Sequence, residues 1–161
     1  MQKNIKPAAA LLMLILAVVS CNRTAGNKND GSSASSEPSK ENAVRVLRDA
    51  LTALQAQDYD KAATFFKIPG NAQPEEIKKQ LGRLLELQEI SAAGIEILAR
   101  DGKWGKLDEA FSPERAKNIA ERAGVPLDSC YGLTLRNAEA GFYWDGKQFK
   151  IIRCDDIGKL S

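Results

Sequence analysis

Histidine is absent from this 161-residue chain. That removes Ser-His-Asp and Cys-His catalysis, histidine-ligated metals and the usual switch near physiological pH. An enzyme built from this sequence would have to work with carboxylates, lysine, tyrosine or cysteine. Aromatic residues are scarce as well, ten in all, and most are needed to fill a core. No apolar run reaches the roughly 20 residues of a membrane-spanning helix. No two carboxylates stand at a spacing that compels acid–base work. Asp108 and Glu109 flank an expected loop, Glu139 alternates with apolar neighbours and is expected to point outward, and Asp145 is explained as a turn residue. Asp155 and Asp156 are adjacent, and on an extended chain their side chains point to opposite sides, so no metal site is expected there.

The apolar residues that do run together lie at the start. Lys3 and Lys6 precede a stretch of about a dozen, from Ala8 to Val19, which has the length and basic flank of a signal peptide. It closes on Val18-Val19-Ser20-Cys21, which resembles the lipobox of bacterial lipoproteins: an aliphatic residue three before the cysteine, a small residue, then the cysteine. The resemblance implies removal of residues 1–20, lipid on the Cys21 sulfur and acylation of the new amine. The lipid would anchor the protein in the membrane of the cell envelope without spanning it. Asn22 stands where an aspartate would favour inner-membrane retention, so the outer membrane facing the periplasm is the expected address.

Two of the 23 lysines and arginines fall in this leader and none of the 21 acids does, leaving 21 against 21. The remainder is formally neutral and carries no basic stripe interleaved with aromatics, so a nucleic-acid partner is not expected. Residues 21–40 are rich in Ser, Asn, Gly and Lys and read as a flexible tether, with a reach of roughly 25 Å. With Cys21 assigned to lipid, Cys130 and Cys154 remain in a compartment that permits disulfides. A bridge would contribute about 3 kcal/mol. Two buried thiols are the alternative, and without histidine the pair makes a poor metal site.

Residues 41–161 make one domain of ordinary size. Val44, Leu47, Leu51 and Leu54 recur at helical spacing to about Ala56. Asp58 suits the N-cap of a short second helix through Phe66, and Pro74 with Glu75 and Glu76 opens a third. Ile95 and Ile97 alternate with Glu96 ahead of an Asp-Gly signal at 101–102, which predicts a strand and hairpin before Trp104. Ser112-Pro113 opens a further helix that Gly124 closes. A long extended stretch follows from Tyr131 to Trp144. A two-residue turn at Asp145-Gly146 would pair Phe142 with Phe149 and Ala140 with Ile151, all four on the core face. That register sets Cys154 opposite Asn137, so a bridge to Cys130 needs residues 130–136 to bend back.

The order is α+β: N-terminal helices packed on a curved antiparallel sheet, with an additional helix inserted among the strands. The segment from Ala53 to Phe66, ALQAQDYDKAATFF, resembles the opening of the nuclear-transport-factor-two-like superfamily, and FYWDGKQFKI from Phe142 to Ile151 is similar to its terminal hairpin. With the lipobox, the chain resembles the lipoprotein branch of that superfamily. Isomerases and dehydratases of the superfamily use a carboxylate inside a cone, often with a histidine or tyrosine. Trp104, Tyr143 and Trp144 lie close to expected turns and are candidates to line the mouth of such a cone, with core packing the stronger expectation for them. Lacking histidine and a catalytic constellation, the chain is expected to be a non-catalytic binding module without cofactor. Its expected partner is an envelope protein, a secreted toxin or enzyme, or a small ligand. A carboxylate-based isomerase or dehydratase and a structural envelope protein are the alternatives.

Overall fold

The computed structural model describes residues 37–161. The leader, Cys21 and the tether up to residue 36 lie outside the described residues. Among those described, no helix is long and apolar enough to cross a membrane.

Local signals set most helix ends. In α1 (Lys40–Gln55) the Ser39 hydroxyl accepts from the Asn42 N–H at 3.2 Å, and Leu47, Ala50 and Leu54 are fully buried along one face. Asp58 caps α2 (Tyr59–Ala63) by accepting from the Lys61 N–H at 3.0 Å. Helix α3 (Pro74–Glu86) begins on proline with two acids in its first turn. Ile77, Leu84 and Leu85 lie on its apolar side, yet only Leu81 is fully buried.

The segment expected as a strand around Ile95 is helix α4 (Ala92–Asp101). Ser91 caps it, accepting from the Gly94 N–H at 3.1 Å, and Ile95 and Leu98 form its buried stripe. A short apolar run fits either period, and the cap with three further residues of helix tips it. Asp101-Gly102 is accordingly a helix end, with the Gly102 N–H donating to the Leu98 carbonyl at 2.8 Å, and not a hairpin. The lack of a side chain at Gly94 allows the C-terminal turn to approach: a Cβ there would stand 1.8 Å from the Ile157 carbonyl oxygen.

Four strands form one antiparallel sheet in sequence order, β1 (Lys103–Lys106), β2 (Cys130–Leu135), β3 (Ala138–Trp144) and β4 (Phe149–Asp155). Between β1 and β2 come the short helix α5 (Leu107–Ala110) and the expected inserted helix α6 (Pro113–Ala123), capped by Ser112 and closed by Gly124 at φ 64°. The α+β class and the helix inserted among the strands are thus as the sequence predicts.

The sheet departs from the expectation in three ways. The stretch 131–144 is two strands joined at Arg136-Asn137, with Arg136 at φ 56°. Asp145-Gly146 lies in a four-residue loop, so Trp144 pairs with Phe149 and Phe142 with Ile151, two residues out of the expected register. A shift of two keeps the faces, and Ala140, Phe142, Phe149 and Ile151 share the core side as predicted. A bulge at Gly141/Phe142 then moves Cys154 opposite Ala140. Finally, the sheet is covered on both faces. Helices α1–α4 bury one, and α5 with α6 bury the other through Leu107, Phe111, Ile119 and Cys130.

Candidate functional site: a cationic pocket beside an apolar groove

The expected disulfide does not form. Cys130 and Cys154 are free thiols on opposite faces, Cys130 among the α5–α6 residues and Cys154 against the main core. They also stand two strands apart, about 10 Å before any offset, and a bridge tolerates only about 7 Å between Cα atoms. Burial pushes the Cys130 thiol up to about 11, against an opposing pull from Lys106. Burial, with Glu89 and Asp155 adding to it, pushes Cys154 up to about 12. Both therefore stay protonated at neutral pH and are poor nucleophiles. An unfolded thiol ionises near pH 9.0, so above that pH the unfolded chain sheds protons that the folded chain keeps. Stability contributed by the thiols is complete below pH 9 and is lost as pH rises toward 11 to 12, by about 1.4 kcal/mol per pH unit for each thiol. Melting curves from pH 8 to 11 are expected to fall more steeply for the parent than for a Cys130→Ala/Cys154→Ala variant.

The three aromatics do not gather at a cone mouth, and core packing, the stronger expectation, is what Trp104 and Trp144 show. Trp104 and Trp144 lie on the core face in an aromatic cluster: Trp104 stacks on Tyr131 at 5.4 Å and Trp144 meets the Phe149 ring edge-on at 5.0 Å. Tyr143 points to the other face, where the Lys67 ammonium lies 6.0 Å from its ring. None of the three lines the cavities described below.

The carboxylates sort differently from the expectation. Asp108 and Glu109 are exposed, on α5 and not in a loop, and Glu109 caps that helix by accepting from the Lys106 N–H. Asp145 is the turn residue predicted, accepting from the N–H groups of Lys147 and Gln148 at 2.9 and 2.8 Å. Asp155 and Asp156 do not diverge. The strand ends between them and Asp156 takes φ 55°, which brings both within 4.8 Å of each other and of Glu89. Arg153 pairs with Asp155, Lys159 with Asp156, and the Asp156 N–H donates to Glu89, so the cluster is answered from within.

Glu139 gives the largest correction. It alternates away from the main core as expected, but α6 covers that face and leaves it only 9% exposed. Its Oε2 accepts from the Arg115 and Arg153 guanidinium groups, each at 2.7 Å. The bulge aims Arg153 here. Ile152 and Arg153 both lie over Gly141, where a Cβ would come within 3.1 Å of the Arg153 Cβ and 3.3 Å of Ile152 Cγ1.

This network borders a pocket of about 340 Å³ between α6, β4 and the loop after α2. Arg115 and Arg122 stand seven apart on one face of α6 with Ile119 between them, and Lys67 and Arg153 complete the wall. Four cations line it and no carboxylate does. Glu139 answers Arg115 and Arg153 from beneath. Lys67 and Arg122 have no ion-pair partner among the described residues.

Across the loop lies a second concavity of about 270 Å³, under α3. It is walled by Phe66, Ile77, Leu81, Leu84, Ile151 and Cys154, and it accounts for the incompletely buried apolar side of α3. The two cavities share Lys67, Pro69, Ile152 and Arg153 and meet along that line. The loop is fixed by backbone pairing to the outer edge of β4: the Lys67 N–H donates to the Ile151 carbonyl at 2.9 Å, and the Ile151 N–H to the Phe65 carbonyl at 2.8 Å.

The chain matches no protein-family model, no curated protein and no solved structure. The cationic wall was not singled out from the sequence. The Arg115/Arg122 spacing on a helix with Ile119 on the same face was the one local signal for it.

Proposed function

We propose that this chain is a lipid-anchored, non-catalytic binding module of a bacterial cell envelope, whose ligand presents an anionic group to Lys67, Arg115, Arg122 and Arg153. The anchor rests on the lipobox-like run ending at Cys21, and Asn22 favours the periplasmic face of the outer membrane. The observation that carries the binding reading is the wall of four cations without a carboxylate among them. Such a pocket attracts an anion at long range, and its guanidinium groups offer forked donors to carboxylate or phosphate. The non-catalytic reading is supported by the absence of histidine and by Glu139, the one buried carboxylate among the described residues, whose Oε2 is already held by two guanidinium groups.

Two measurements test it. In bacteria fed radiolabelled palmitate, the parent is expected to take up label and Cys21→Ala is not. In calorimetric titration at low salt, inorganic phosphate is expected to bind at one saturable site, weakened about tenfold or more by Arg122→Glu. Unsaturable binding that Arg122→Glu leaves unchanged would sink the binding reading. Label on the Cys21→Ala variant would sink the anchor.

A further inference from the structure

We propose that the ligand is a single-chain anionic amphiphile, its acyl chain in the groove beneath α3 and its charged head in the cationic pocket. The inference rests on the anionic-site reading above and adds the chemical class of the ligand.

Three observations combine. The groove and the pocket adjoin, because they share the ridge formed by Lys67, Pro69, Ile152 and Arg153. Their walls differ in character: one is mainly apolar, from Ile77, Leu81 and Leu84 of α3 and Ile151 of β4, with Glu76 and Gln80 also lining it, and the other is cationic. The apolar stripe of α3 is not consumed by the domain's own core, since Leu81 alone is fully buried over 13 residues. A helix that keeps an apolar side only half-covered has surface left for an apolar occupant. The adjoining charge selects that occupant. A neutral chain would leave the cationic wall to water, and a small anion would leave the groove to water. A carboxylate or phosphate on one acyl chain satisfies both. The separate cavities, about 270 and 340 Å³, lie at the small end of ordinary ligand sites, which fits one chain and not two.

The head could be the carboxylate of a fatty acid or the phosphate of a lysophospholipid. The shared chemistry is an anion on a single chain, and the probes separate the two. The chain from residue 21, carrying Cys21→Ser so that no covalent lipid competes, contains every described residue, 37–161. It is titrated with octanoate, decanoate and dodecanoate, with dodecyl phosphate, with inorganic phosphate, and with dodecyl maltoside as a neutral chain, all below their micelle thresholds.

One anionic amphiphile per chain is expected to bind. Affinity should rise about fourfold for each added methylene that is buried and level off when the groove is full. Leu84→Glu and Arg122→Glu should each weaken binding about tenfold or more, with Ile77→Glu as a second groove variant should Leu84→Glu fail to fold. A preference for dodecyl phosphate over dodecanoate assigns the head to a phosphate, and the reverse to a carboxylate. If inorganic phosphate binds as tightly as dodecyl phosphate and the groove variants change nothing, the amphiphile inference is overturned and the anionic-site reading stands. If dodecyl maltoside binds equally and Arg122→Glu has no effect, or if no probe binds, both are overturned.

Discussion

Removing the Glu139 carboxylate, as Glu139→Ala, is expected to destabilise the domain by about 2 kcal/mol. The side chain is 12% exposed and its Oε2 is shared by Arg115 and Arg153 at 2.7 Å. Without it, two guanidinium groups face each other under α6. The penalty is mainly that repulsion and the lost charge-assisted hydrogen bonds. It is smaller than for a fully buried pair because Arg115 is half exposed and can swing toward water. The exposed Arg48–Glu96 pair, though bidentate, serves as the contrast. Its removal should leave the denaturation midpoint within error. A cycle of Glu139→Ala, Arg153→Ala and the double variant, followed by urea unfolding, isolates the coupling, which should be clearly non-additive. The same variant bears on function. With Glu139 gone Arg115 loses its ion-pair partner and Arg153 keeps only Asp155, so added sulfate or phosphate should stabilise Glu139→Ala more than it stabilises the parent. A loss of stability that salt of any kind restores equally would point to general screening and not to a site.

A larger loss, about 3–5 kcal/mol, is expected for Phe142→Ala. Phe142 is fully buried in the central strand β3, opposite Tyr131 on β2 and Ile151 on β4. Its ring lies 5.9 Å from Trp104 and 5.7 Å from Phe149. Truncation leaves a void walled by three strands, which hydrogen bonding prevents from collapsing. For a domain whose whole stability is of the order of 5–15 kcal/mol, this approaches unfolding at room temperature. Trp144→Ala, at the half-buried end of the same cluster, should cost about 1–2 kcal/mol. Urea midpoints measured with unchanged slope test the ranking, and loss of near-ultraviolet dichroism from Trp104 should accompany the Phe142 substitution alone.

The parts of the fold that are local in origin were legible in the chain. Asp58, Pro74, Ser112 and Gly124 mark the helix ends where the structure has them, because a cap is settled within four residues. The hairpin face was legible for a similar reason: pleating fixes which residues share a side even when the turn adds two residues and slides the register. What was missed depends on distant partners. The turn at Arg136-Asn137 lacks the glycine that advertises a tight hairpin, and only pairing on both sides holds Arg136 at φ 56°. Helix α4 is the exception, because its Ser91 cap is a local signal that the Ile95/Ile97 alternation obscured. Glu139 was expected in water because alternation along β3 says nothing of α6 arriving over it from an insertion. The cationic pocket was hidden by the neutral total. A balance of 21 against 21 after residue 20 is indifferent to where the charges fall. Lys67, Arg115, Arg122 and Arg153 come from a loop, a helix and a strand that only folding gathers.

The loop at Phe65–Lys67 also stands where a fifth strand would go. Its short parallel pairing with Ile151 is what closes the outer border of the sheet. At the other border, β1 is guarded by Lys103 and Lys106. Because this loop is at once a wall of both cavities and the cover of β4, one short segment both shapes the cavities and shields a sheet edge that would otherwise be open to pairing.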